Sequence, residues 1–299
     1  MSWRQFGGRL AQCRFVICVA GGIPPGYAAS LAPWFPELVA VDPFLSAHPP
    51  SNKLRFLLMP LVRSYARVIL LDCDTVILQE PLSLLEETPL LAKMADIAGV
   101  PNATFAKLFQ AEGLIMPAPD YFCTITGEPS IPYFNAGVLS FSREAIRTLV
   151  PVWTNLTKKA ADHPEWFGDA FHYLEQATLS VAVNKTGTVF SLLPTAMNFP
   201  GHFKEPLLSS LAGIDPVILH YHDQVTHSGY LAVSPYPLVQ HAIQAFNAAL
   251  TEAWPLRCRA LEAVIRTTQP QKGISANWRD RCRSYWLRNP LSHSVKGAQ

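Results

Sequence analysis

Residues 67–81 read RVILLDCDTVILQEP. A run this apolar and rich in β-branched residues, closed by polar and turn residues, is a buried strand, yet Asp72 and Asp74 interrupt it. A carboxylate in apolar surroundings either neutralises or finds a cation or hydrogen bonds. Alternation along a strand predicts that Asp72 and Asp74 point to one face, with Cys73 opposite. Two hard oxygen ligands one strand-step apart can share a divalent metal, leaving its other positions to water and a phosphate.

Immediately upstream, NKLRFLLMPLVRSYA (52–66) has helical spacing at Leu54, Leu57, Leu58, Leu61 and Val62 and leads into that strand. RFVICVAGG (14–22) and ELVAVD (37–42) read as further strands, and GYAASLAPWF (26–35) as a short helix. Downstream, residues 117–132 are rich in turn residues and predict a loop. YFNAGVLSFS (133–142) is a strand, and Ser142 N-caps the helix that opens with REAIRTLVPVW (143–153). YLEQATLSVAVNK (173–185) is a helix, and VFSLLP (189–194) and PVILHYH (216–222) are strands. From Pro237 to Thr267, Val239, Ile243, Phe246, Leu250 and Trp254 share one helical face, with a break predicted at Pro255. This strand–crossover–strand rhythm predicts an α/β fold, a mainly parallel sheet flanked by helices. Ligands in such folds bind beyond the carboxyl ends of strands, where Asp72 and Asp74 stand.

The chain has 299 residues, 49% hydrophobic and 15% charged. That suits one large domain (1–236) with a smaller helical, basic C-terminal extension (237–299), and excludes a disordered chain. No apolar run is long enough to span a bilayer, and the opening apolar stretch fits a first strand rather than a secretory signal. The six cysteines form no CxxC pair, which argues for reduced thiols in the cytoplasm rather than a zinc site or disulfide framework. From Leu256 onward nine Lys/Arg face two acids, a net +7; the remaining 15 bases and 20 acids leave the body at −5. No nucleic-acid partner is expected of such a body. Within the tail, NWRDRCRSYWLRNP (277–290) sets Trp278, Cys282, Tyr285 and Trp286 on one helical face among arginines. That pattern suits either peripheral contact with an anionic membrane, on its inner face for a cytoplasmic protein, or packing of the aromatic face on the body with the arginines solvated.

Asp72-Cys-Asp74-Thr-Val76 also satisfies the D-x-D-x-V pattern of phosphatases that use an aspartyl nucleophile. That chemistry needs a downstream acidic pair for magnesium, and no Asp-Asp pair follows. The neighbourhood points elsewhere. NKLRFLLMPLVRSYARVILLDCDTVIL, YFNAGVLSF, YLEQATLSVAVNK, LLPTAMNF and VILHYH occur in the order and rough spacing of glycosyltransferase family 8. Over residues 14–230 the chain resembles that family, whose members include glycogenin and lipopolysaccharide galactosyltransferases.

The resemblance implies a GT-A (Rossmann-like) fold and metal-dependent, retaining transfer of a sugar from a nucleotide-sugar donor, UDP-linked in most members, to a glycan, lipid-linked or other acceptor. It implies that Asp72, Asp74 and His220 ligate Mn²⁺ or Mg²⁺ and that Lys53 approaches the donor. Asn135 would contact donor or acceptor, while Glu175 and Gln176 would stand beside the anomeric carbon; Asn198 would be structural. Three departures qualify the likeness. RFVICVAGG aligns with the family's second strand, so a first β-α unit is expected to be absent. The family's HxxGxxKPW becomes HYHDQVTHS, with Asp223 for Gly and Thr226 for the phosphate-binding Lys. His222 and His227 add ligands or cations to that loop. A catalytically inactive relative, binding sugar nucleotide or glycan as a scaffold, is the alternative these departures support.

Overall fold

The computed structural model describes residues 1–23, 28, 31–34, 36–203, 207–226, 230–234 and 236–267. The helix expected at 26–35 falls largely outside these residues, as do His227 and the tail with Trp278, Cys282, Tyr285 and Trp286.

In chain order the elements are α1 (Ser2–Phe6), β1 (Val16–Ala20), β2 (Glu37–Val41), α2 (Asn52–Leu57), β3 (Arg67–Leu71), β4 (Thr75–Ile77), β5 (Leu90–Met94) and α3 (Asn102–Ala111). There follow β6 (Tyr121–Phe122), β7 (Pro129–Ser130), β8 (Phe134–Ser142), α4 (Arg143–Ala161), α5 (Leu174–Thr186), β9 (Phe190–Leu192), β10 (Phe199–Pro200), β11 (Ile218–His220) and α6 (Pro237–Thr267). The α/β architecture expected of the sequence is present, with sheets that are mixed rather than mainly parallel. Its central sheet runs β3-β8-β5-β9, with β8 antiparallel to β3 and β5 and β5 parallel to β9. β1 and β2 form a parallel pair. β11 lies between β10, parallel to it, and β4, antiparallel.

The core explains where the helices lie. β8 is buried along most of its length, and α4 and α5 pack over it. The Trp153 ring stacks on Phe141, its Nε1–H donates to the Glu175 carbonyl at 2.8 Å, and the Thr157 and Thr178 hydroxyls meet at 2.7 Å. Because α5 is buried almost all round, the Glu175 side chain at its start enters the interior. A smaller cluster under β4, β10 and β11 includes Val76, Phe199, Leu219, Val239 and Ile243, so the first turns of α6 dock on the body.

Three local expectations are corrected. The helix begun at Asn52 ends at Leu57, because Pro60 has no N–H to continue it and holds Met59 extended (φ −61, ψ 139); residues Pro60–Ser64 form a 3₁₀ turn. The predicted break at Pro255 is absent, as α6 continues through it to Thr267. A proline removes one helical hydrogen bond without necessarily ending the helix, and α4 likewise passes through Pro151. The loop at 117–132 contains a small hairpin, β6 with β7.

Candidate active site

The strand of RVILLDCDTVIL stops at Leu71, and Asp72, Cys73 and Asp74 form the turn that connects β3 to β4. Strand alternation therefore does not govern the two acids. Asp72 N–H donates to the Gly137 carbonyl at 2.8 Å, and the Thr75 hydroxyl donates to the Asp72 carbonyl at 2.8 Å. The turn sends the two carboxylates to different partners.

Asp72 meets Lys53, whose Nζ lies 2.9 Å from Oδ1 and 3.0 Å from Oδ2. Lys53 is buried at the start of α2 and also donates to the Ala136 carbonyl at 3.1 Å. Its third neighbour is Glu175 Oε1 at 3.4 Å, and Glu175 Oε2 lies 3.8 Å from Nε2 of the buried His48. Burial opposes the charge on Lys53, but Asp72 and Glu175 outweigh it and raise its pKa. The ammonium is held charged against the two carboxylates.

Asp74 meets the histidines. β4 pairs with β11 so that Thr75 lies opposite His220; this register brings His220 Nε2 to 3.2 Å from Asp74 Oδ1. His222 Nδ1 lies 3.9 Å from Asp74 Oδ2, and its ring stacks on that of His220, centroids 3.9 Å apart. Burial alone would raise the pKa of Asp74, but His220, a backbone N–H and His222 outweigh it and lower the pKa.

A chain of side chains orients His220. The acceptor-only carboxylate of Asp96 takes a hydrogen bond from Asn135 Nδ2 at 3.1 Å, so Asn135 Oδ1 faces the other way. That oxygen accepts from Gly137 N–H at 2.9 Å and from Asn198 Nδ2 at 3.1 Å. Asn198 is thereby oriented with Oδ1 toward His220 Nδ1, 3.1 Å away. His220 donates from Nδ1, and its Nε2 faces the Asp74 carboxylate. At 3.2 Å those two atoms share a proton or a cation. Asp96 is in turn held by Lys93, which is fully buried, and by the Thr124 hydroxyl at 2.8 Å. Gly137 belongs to the same construction, since a Cβ there would lie 2.5 Å from His220 Cε1.

Lys53, Asp72, Asp74, Asn135, Glu175, Gln176 and His220 all line one cavity of about 1470 Å³, which extends along β1 and β3. Every site residue expected from the sequence thus reaches one space, though in two subsets. Asp74, His220 and His222 have ligand atoms within 4.8 Å of one another; Asp72 belongs with Lys53 instead. Asn135 has both ends of its amide engaged, which makes it a positioning residue for His220. The sequence reading missed Lys93, Asp96, His48 and His202. A lysine inside the apolar LLAKMAD (90–96) was the available signal, because a buried lysine requires a partner.

A fold with strands, crossover helices and a polar site at the strand ends is the architecture of many nucleotide-binding transferases. Residues 37–187 match the family model described as the Rhodobacterales glycosyltransferase domain, and the chain belongs to that family. No curated protein matches it. Among solved structures it is similar to the galactosyltransferase LgtC in complex with donor and acceptor sugar analogs, at 13% identity and TM-score 0.47, covering 94% of this chain and 92% of that one. Mouse xyloside xylosyltransferase 1 gives 16% identity and TM-score 0.41, covering 69% and 84%. The glycosyltransferase GlyE of Streptococcus pneumoniae TIGR4 gives 16% and 0.45, covering 91% and 62%. These are distant likenesses.

Proposed function

We propose that the chain is a metal-dependent, retaining glycosyltransferase of the family 8 type, with a GT-A fold. It transfers a hexose from a nucleotide sugar, UDP-linked by preference, to a glycan or lipid-linked acceptor. The observation that carries this reading is the meeting of Asp74 with His220 Nε2, 3.2 Å apart, in a cavity that also holds Lys53, Asp72 and Gln176.

The donor set fits a divalent metal. Asp74 and His220 supply oxygen and nitrogen, Asn198 on Nδ1 holds the His220 ring with Nε2 toward the carboxylate, and Asp72 keeps Lys53 beside the same turn. Mn²⁺ or Mg²⁺ bound there would neutralise the donor diphosphate and stabilise it as a leaving group. Lys53, held charged, adds positive potential beside the same turn. Glu175 is buried and engaged with Lys53, so it fixes the lysine and contributes field rather than attacking carbon. Gln176, the next residue, lines the cavity, where its amide would stabilise positive charge developing at the anomeric carbon.

One observation favours the scaffold alternative. Thr226, at the position of the family's phosphate-binding lysine, accepts a hydrogen bond from Tyr230 N–H at 3.1 Å and brings no cation. A panel of nucleotide sugars incubated with the purified chain and Mn²⁺ separates the readings. The enzyme releases nucleoside diphosphate, fastest from UDP-sugars. A scaffold binds in calorimetry and releases none.

A further inference from the structure

His222 is the only non-glycine residue with positive φ among the described residues, at 51°. A side chain in the left-handed region is uncommon and persists where its surroundings over-determine it. Here the conformation folds the residue two positions after His220 back toward β11, so that the rings lie nearly parallel, 14° apart. His222 Nε2 is buried without a hydrogen-bond partner, and so is Nδ1 of His202, whose ring stands edge-on to His222 at 3.9 Å. An imidazole is thus held with Nδ1 toward a carboxylate and Nε2 unpartnered, its ligand atom within 4.8 Å of those of Asp74 and His220, which is wasteful for packing and suited to ligation.

We propose that His222 is a protein ligand to the metal, completing with Asp74 and His220 a set of two imidazoles and one carboxylate that favours Mn²⁺ over Mg²⁺. Mn²⁺, a first-row transition ion, accepts imidazole nitrogen beside carboxylate more readily than Mg²⁺, which takes oxygen ligands and keeps its waters. Asp72, with both oxygens on Lys53, is left to shape the donor side of the site. The inference rests on the metal-dependent reading above and assigns its ligands.

Mn²⁺ binding to the full chain, followed by titration calorimetry and by pulsed electron paramagnetic resonance, tests it without donor or turnover. The wild type is expected to show two imidazole ¹⁴N couplings and to release Mn²⁺ only to a large excess of Mg²⁺. His222→Ala should leave one coupling and weaken Mn²⁺ by at least the roughly 10–100-fold that loss of a supporting residue costs at metal sites. His222→Gln, checked by circular dichroism, repeats the test in a side chain of similar bulk. A single coupling in the wild type, or His222 variants that bind Mn²⁺ as the wild type does, overturns the assignment while the metal-dependent reading stands. If Asp74→Ala also leaves Mn²⁺ binding unchanged, that reading fails too.

Discussion

A hydrogen atom at Gly137 decides where His220 can stand. A methyl group in its place would sit 2.5 Å from His220 Cε1, 2.7 Å from Nδ1 and 3.1 Å from Asn135 Oδ1. Backbone conformation does not require glycine here; the imidazole does. Gly137→Ala is expected to push His220 off Asn198 and Asp74, costing about 1–3 kcal/mol of stability as overpacking does. It should weaken Mn²⁺ binding far more than it lowers the melting temperature. Mn²⁺ titration beside a thermal melt checks this, and unchanged affinity would show that His220 is not held by that contact. Asp72 and Asp74 were legible as residues because acids in an apolar run demand a reason. Their division between Lys53 and the histidines was not, because it depends on a turn that ends strand alternation at Leu71, before either acid.

Elements were legible where their signals are local. Ser142 caps α4 as expected, its hydroxyl accepting from Ala145 N–H at 3.1 Å. The proline effects were misjudged in both directions: Pro60 ended a helix read as continuous, and Pro255 did not end one. Whether a proline breaks a helix depends on what the flanking turns pack against, and a linear pattern does not contain that. Glu112, just past α3, shows how the helices are tied together. It accepts from Lys159 of α4 at 2.9 Å and from Lys185 of α5. Burial of Glu112 works against its charge, but the two lysines outweigh it and lower the pKa. The folded state then binds the proton less readily than the unfolded one. The contribution is present above the ordinary Glu pKa and is lost as pH falls through the lowered folded value. Both lysines are well exposed, which screens the pair. Glu112→Gln should cost about 1 kcal/mol or less at pH 7, and the difference should vanish in denaturant melts taken well below pH 4.5, the ordinary Glu value. A difference independent of pH would assign the effect to packing instead.

At the scale of the molecule, the site is assembled from α2, the β3–β4 turn, β5, β8, α5 and β11, which no short stretch of sequence joins. The order of the motifs made their meeting predictable. The support beneath them had one local sign, Lys93 within the apolar LLAKMAD, and only the fold shows that it is buried with Asp96 under Asn135. The chain Lys93–Asp96–Asn135–Asn198–His220 holds one ring nitrogen, and the carboxylate of Asp74 faces the other. The account therefore stands on Asp74. The most direct measurement is the rate at which the chain releases UDP from a UDP-sugar with Mn²⁺, compared between wild type and Asp74→Asn of matching circular dichroism and melting behaviour. The account predicts release by the wild type that stops when Mn²⁺ is chelated, and background release by the variant at every Mn²⁺ concentration. Release by Asp74→Asn at the wild-type rate, or release by the wild type that survives chelation, would contradict it.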